Sequence, residues 1–160
     1  MSSPSRRRGW IWFFVLLGVL TVAAVSVQIW YNSRQLLTPA KLAEARSRWQ
    51  EHGPRDYDMD YIIKKTSEVD DVYTVHVRNA KVTEAARNGA ALPERLFRYQ
   101  TMPALFAIIE EFLERDSQPG TSRVFAVATF DRQDGHLIHY VRSVMSTRER
   151  QEITVKFHGQ

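Results

Sequence analysis

Three stretches of the chain carry side chains whose type and spacing could do chemistry. In DYDMDYIIKK, Asp56, Asp58 and Asp60 stand at every second position. On a strand such residues point to the same side, so three carboxylates would face together and could hold a hard cation. The spacing matches positions 1, 3 and 5 of a calcium-binding loop. That loop, however, needs Gly where the chain has Tyr61 and a bidentate Glu where it has Ser67. The sequence therefore predicts a solvated strand face opposite buried Tyr57, Met59 and Tyr61, with Asp56, Asp58 and Asp60 as metal candidates only.

The second stretch is DRQDGHLIHY. His136 and His139 look like a metal pair, but three residues apart on a strand they point to opposite faces, and only a helix would let both bind one ion. Asp131 and Asp134 beside Gly135 read as turn chemistry, in which a short carboxylate accepts nearby backbone N–H groups. The third is the set of serines and glycines, and none of the seven glycines frames a serine as Gly-x-Ser-x-Gly. Nor does the sequence contain a glycine-rich phosphate loop or a His-Glu-x-x-His zinc motif. The expectation is no catalytic residue, no cofactor and no resident metal.

Composition narrows the classes further. A chain of 160 residues with 44% hydrophobic and 25% charged side chains is that of a folded domain with an appendage, far from the polar signature of disorder. The net charge of +4 suggests nucleic acid until it is mapped. Arg6, Arg7 and Arg8 are the only charges before Arg34, and the 22 basic residues less these three leave 19 against 18 acidic. Acids and bases then alternate, with no basic face interleaved with aromatics, so nucleic acid is not an expected partner. There is no cysteine, which excludes disulfides, thiolate metal sites and thiol nucleophiles.

From Trp10 to Tyr31 no residue is charged, and only Gly18, Thr21, Ser26 and Gln28 interrupt the apolar run. Such a run is ~33 Å long as a helix at ~1.5 Å per residue, enough for a hydrocarbon core of ~30 Å. Trp10 and Trp12 at one end and Trp30 and Tyr31 at the other suit the headgroup boundaries. The arginines ahead of it put the N-terminus in the cytoplasm and the rest of the chain outside. The expected order is a basic cytoplasmic tail over 1–9, a signal-anchor helix over 10–31 with the lipid bilayer as its partner, a tether over 32–37 and an extracytoplasmic domain over 38–160. A cleaved signal ending at Ala24-Val25-Ser26 is the alternative, although the run exceeds the usual 7 to 15 apolar residues of such signals.

The elements that must position these residues follow from periodicity. Thr38-Pro39 opens a helix running to about His52, with Leu42, Ala45 and Trp49 on one face and Gly53-Pro54 as its stop. The period then changes to 2 through DYDMDYIIKK and again where Tyr73, Val75 and Val77 alternate with polar residues, before a turn at Asn79-Ala80-Lys81. Residues 84–100 show no sustained period and are expected to form a loop. A second helix from Thr101-Met102-Pro103 carries Leu105, Ile108, Ile109, Phe112 and Leu113 on one face. VFAVATF, a turn over Asp131 to Gly135, LIHYVRSVM and a last strand with Ile153, Val155 and Phe157 complete the chain. The predicted fold is α+β, an antiparallel sheet packed by two helices on one face. Trp49, Leu105, Ile109, Phe112, Tyr73, Val75, Val77 and Val127 are its expected core.

Trp49 at a helix end, DYDMDY, VHVRNAKV, TMPALFAIIEEF and VATFDRQDGHLIHYV, taken in that order, resemble the bacterial family known as domain of unknown function 6174, over roughly residues 40–145. The resemblance implies an exported or lipid-anchored α+β domain and no established activity. The functional expectation is a membrane-tethered binding or structural module with an envelope protein as partner, acting through the exposed sheet face or residues 84–100. A cell-envelope hydrolase without a recognisable motif is the alternative.

Overall fold

The computed structural model describes residue 10, residues 12–24 and residues 36–159. The chain divides into two units, Met1–Gln35 and Leu36–Gln160. In the first, residues 12–24 are helical. Among the described residues no helix is long and apolar enough to cross a membrane. The remainder of the expected 10–31 span, residue 11 and residues 25–31, and most of the expected tether lie outside the described residues.

The second unit is α+β. Its helices are α1 (Pro39–His52) and α2 (Met102–Asp116), with a 3-10 helix over Glu94–Tyr99. Its strands are β1 (Tyr57–Lys65), β2 (Asp71–Arg78), β3 (Lys81–Arg87), β4 (Ala90–Ala91), β5 (Val124–Phe130), β6 (Leu137–Val144) and β7 (Arg150–Gly159). Both helices start as the sequence predicts. The Thr38 hydroxyl accepts the Lys41 N–H at 3.3 Å and the Thr101 hydroxyl accepts the Ala104 N–H at 3.2 Å, each ahead of a proline in the first turn. At the end of α1 the Gly53 N–H donates to the Trp49 carbonyl at 2.8 Å.

All seven strands lie in one antiparallel sheet of order β4-β3-β2-β1-β7-β6-β5. The last strand is inserted between the first and the sixth, in register from Tyr57 opposite Gly159 to Lys65 opposite Gln151. Alternation fixes what faces the helices: Tyr57, Met59 and Tyr61 on β1, Val75 and Val77 on β2, Ile153 and Val155 on β7 are buried. The helices contribute Leu42, Ala45, Trp49, Met102, Leu105, Phe106 and Ile109 to the same core. Burial of this set is the main force holding the sheet to its two helices.

Three expectations need correction. Residues 84–100 are not a loop. Asn88 and Gly89, at φ 52° and 79°, reverse the chain tightly enough that Ala90–Ala91 pairs back onto β3, and the 3-10 helix follows. The small alanines on β3, with Ala85 1% exposed, hide the strand from a reading that looks for large apolar side chains. On β5 the residues facing the core are Ala126, Ala128 and Phe130, so Val127 lies on the other face. Leu36 and Leu37, expected in the tether, join the domain: Leu36 bridges Val127, and Leu37 is buried while its N–H donates to the Ala126 carbonyl at 2.8 Å.

Candidate functional site

The carboxylate strand spends its charge on neighbours. Asp58 is half-buried on the helix-free face of β1, opposite His76 on β2 and His158 on β7. Its Oδ1 accepts Arg78 Nη1 at 2.7 Å and its Oδ2 accepts Nη2 at 3.2 Å, while His76 Nδ1 lies 2.9 Å from Oδ1. The hydrogen bonds from Arg78, and after them that of His76, lower the Asp58 pKa to about 2. Asp56 precedes the strand, and its Oδ1 accepts the Asn79 N–H at 2.5 Å in the β2–β3 turn. Asp60 lies 3.4 Å from His158 Nε2 and opposite Lys156. The three residues therefore reach toward three different partners rather than toward a common point.

The DRQDGH turn is built in the same way. Asp131 Oδ1 accepts the Gln133 and Asp134 N–H groups at 2.7 and 3.2 Å, and the Gln133 bond is the main reason its pKa falls. Asp134 Oδ1 accepts the His136 N–H at 2.9 Å and lies 2.6 Å from His136 Nδ1. Asp131, Asp134 and His136 offer ligand atoms within 4.8 Å of one another. Yet the same atoms already close the turn, and the His136 ring stacks on Phe157 with centroids 4.5 Å apart. Gly135 has a φ of +81° and packs on the backbone of α1. His139 points elsewhere, with Nε2 2.9 Å from Glu152 Oε1, a bond that lowers the Glu152 pKa. The structure thus separates the two histidines, as alternation on a strand requires.

The arrangement that sequence reading missed lies where β6, β7 and β1 run side by side. Arg142 is opposite Gln151, and Gln151 is opposite Lys65. Directly opposed residues of antiparallel strands share a face, so the three form one row. A cavity of about 230 Å³ opens over them, bounded also by Thr66, Glu68, Glu149 and Arg150. Arg142 is fixed by Asp116 at the end of α2, through Nε at 2.7 Å and Nη2 at 2.5 Å, and its guanidinium carbon lies 5.3 Å from the centroid of the Phe112 ring. Two residues back on the same face, the buried Tyr140 hydroxyl has no hydrogen-bond partner among the described residues, and burial raises its pKa. No local signal marks this row. Its members are 65, 142 and 151, and only the insertion of β7 beside β1 brings them together.

The comparison with protein families agrees with the resemblance over part of its range. The family of unknown function DUF6174 matches residues 41–121, which run from α1 through the end of α2. The match stops short of the VATFDRQDGHLIHYV segment that the resemblance included. No curated protein and no solved structure matches the chain. With half of its length matched, including both helices and the strands β1 to β4, the chain belongs to the family of unknown function DUF6174.

Proposed function

We propose that the chain is a single-pass membrane protein, its N-terminus in the cytoplasm and its α+β domain outside, and that this domain serves as a binding or structural module. One observation carries the anchor. The described large apolar residues of segment 12–24 are all exposed within their unit, among them Trp12 at 72%, Leu16 at 60%, Val19 at 61% and Leu20 at 58%. A helix that packed on a soluble core would show one apolar stripe and one polar side, whereas a helix apolar all round calls for an apolar solvent. Arg6 to Arg8 ahead of it supply the orientation.

The binding or structural role is supported by how the chemistry-bearing groups are used. Asp58, Asp131 and Asp134 are engaged with Arg78, backbone N–H groups and His136, and hydrolysis would need such groups turned toward a substrate. The test is protease added to spheroplasts, which should digest residues beyond about 32. Protection until lysis would overturn the orientation. The mass of the mature chain separates anchor from export signal, because cleavage after Ser26 would leave a product beginning at Val27.

A further inference from the structure

We propose that the cavity over Arg142, Gln151 and Lys65 binds a small hydroxylated carboxylate, a molecule of the size and class of a sugar acid. The floor of the cavity is a row of three donors on adjacent strands, spaced ~4.8 Å apart by the sheet itself. Arg142 is the fixed member. Asp116 holds its Nε and Nη2, which orients the guanidinium, and its Nη1 has no hydrogen-bond partner among the described residues. A donor already locked in place loses little conformational freedom when a ligand arrives. The Gln151 side-chain amide likewise makes no hydrogen bond among the described residues and lines the same cavity. Lys65 is paired only with Glu68, at 2.9 Å and with both side chains well exposed. Exposed pairs of this kind are weak in water, so its ammonium can turn to a ligand at small cost.

The remaining lining decides the ligand class. Arg150 also lines the cavity but is paired with Glu152 at 3.3 Å, and Glu68 and Glu149 would both repel a dianion. A monocarboxylate with hydroxyl groups satisfies both sets, its carboxylate accepting from Arg142, Gln151 and Lys65 and its hydroxyls donating to the glutamates. At about 230 Å³ the space lies below that of typical drug-sized ligand sites and suits a single sugar ring. The inference deepens the binding reading of the domain and does not depend on the anchor, so the topology test and the test below fail separately.

The experiment is calorimetric titration of the full-length chain in detergent with glucuronate, and with glucose and inorganic phosphate as comparators. Saturable binding of glucuronate is expected, with glucose and phosphate at least about tenfold weaker, a difference of about 1.4 kcal/mol. Lys65→Gln and Gln151→Ala should each weaken glucuronate by about tenfold while the thermal midpoint without ligand stays at the wild-type value. Arg142 is left intact because its removal would strand Asp116. No glucuronate heat at millimolar concentration, phosphate binding as tightly as glucuronate, or affinity unchanged in both variants would each overturn the proposal.

Discussion

Gly135 lies against the backbone of Ala45, so closely that a Cβ at position 135 would stand 2.4 Å from the Ala45 carbonyl oxygen. Arg48 Cβ and Trp49 N close the other sides at 3.0 and 3.1 Å. The turn between β5 and β6 is thereby keyed to the middle of α1, and the helix cannot move aside without leaving its place on the sheet. Gly135→Ala meets two penalties, about 1–2 kcal/mol for a Cβ at positive φ and about 1–3 kcal/mol for the overpacked contact. A loss of about 2–5 kcal/mol is expected, read as a clear drop in thermal midpoint. A midpoint within a degree of wild type would show that the turn and the helix are not coupled.

Trp49, on the same helix, is 7% exposed and makes edge-to-face contacts with Tyr57 at 5.4 Å and Phe157 at 5.7 Å. It joins α1 to β1 and β7, the two strands most distant in sequence. Trp49→Ala should cost about 3–5 kcal/mol by removing a large buried ring that its neighbours cannot refill. Equilibrium urea unfolding measures it, and a loss below about 1 kcal/mol would mark Trp49 as replaceable.

How much of this was legible in the sequence depends on the range of the interaction. The helix caps at Thr38 and Thr101, the stop at Gly53 and the buried side of β1 are local events, set by one residue type at a fixed offset, and sequence reading finds them. The position of β7 is not local. Ile153, Val155 and Phe157 announce a strand, yet nothing in their alternation says that it pairs with β1 rather than only with its hairpin partner β6. The cavity row inherits that gap, since Lys65 and Gln151 are 86 positions apart and meet only through this pairing. The expectation that Val127 faces the core fails for a different reason. VFAVATF is apolar on both faces over most of its length, so composition alone leaves the parity open, and it is Ala126, with Leu37 docked on its carbonyl, that turns inward.

Tyr61 shows a buried polar contact that can be tested cleanly. Its hydroxyl bonds the side-chain oxygen of Gln100, which is only 9% exposed, and its ring stacks on Tyr73 with centroids 4.6 Å apart. Burial raises the Tyr61 pKa, so the hydroxyl stays protonated and able to donate at neutral pH. Tyr61→Phe keeps the stack and removes the bond, leaving the Gln100 oxygen unsatisfied at a cost of about 1–3 kcal/mol. Gln100→Met paired with Tyr61→Phe should recover part of that loss, and the double-mutant cycle reads the coupling.

Asp58 sets an acid limit on the outer sheet face. Its pKa is lowered to about 2 by Arg78 first and His76 second, while an unfolded aspartate titrates near ~3.9. A depressed folded pKa contributes stability that is fully present above the unfolded value and lost as pH falls through the folded one. The wild-type advantage over Asp58→Asn should therefore be constant above about pH 5 and shrink between about pH 4 and pH 2. Urea midpoints of both proteins across that range test it. An advantage that persists unchanged at pH 2 would mean that the charge of Asp58 is not what stabilises the strand.

The same strand decides the calcium question. Calcium needs six to eight oxygen ligands converging at about 2.4 Å. Asp58 would have to release Arg78, whose guanidinium already occupies both of its oxygens, and the freed cation would then remain beside the incoming one. Asp56 would have to release the Asn79 N–H and with it the β2–β3 turn. Only Asp60, facing His158 at 3.4 Å, is loosely held, and one carboxylate does not make a site. Millimolar calcium should thus leave the thermal midpoint of the wild-type chain unchanged. Asp60→Asn should cost no more than about 0.5 kcal/mol, as exposed substitutions do, whereas Asp58→Asn should cost more because it strands Arg78 and His76. A calcium-dependent rise in midpoint that disappears in both variants would reverse this reading and make the carboxylate strand the functional site.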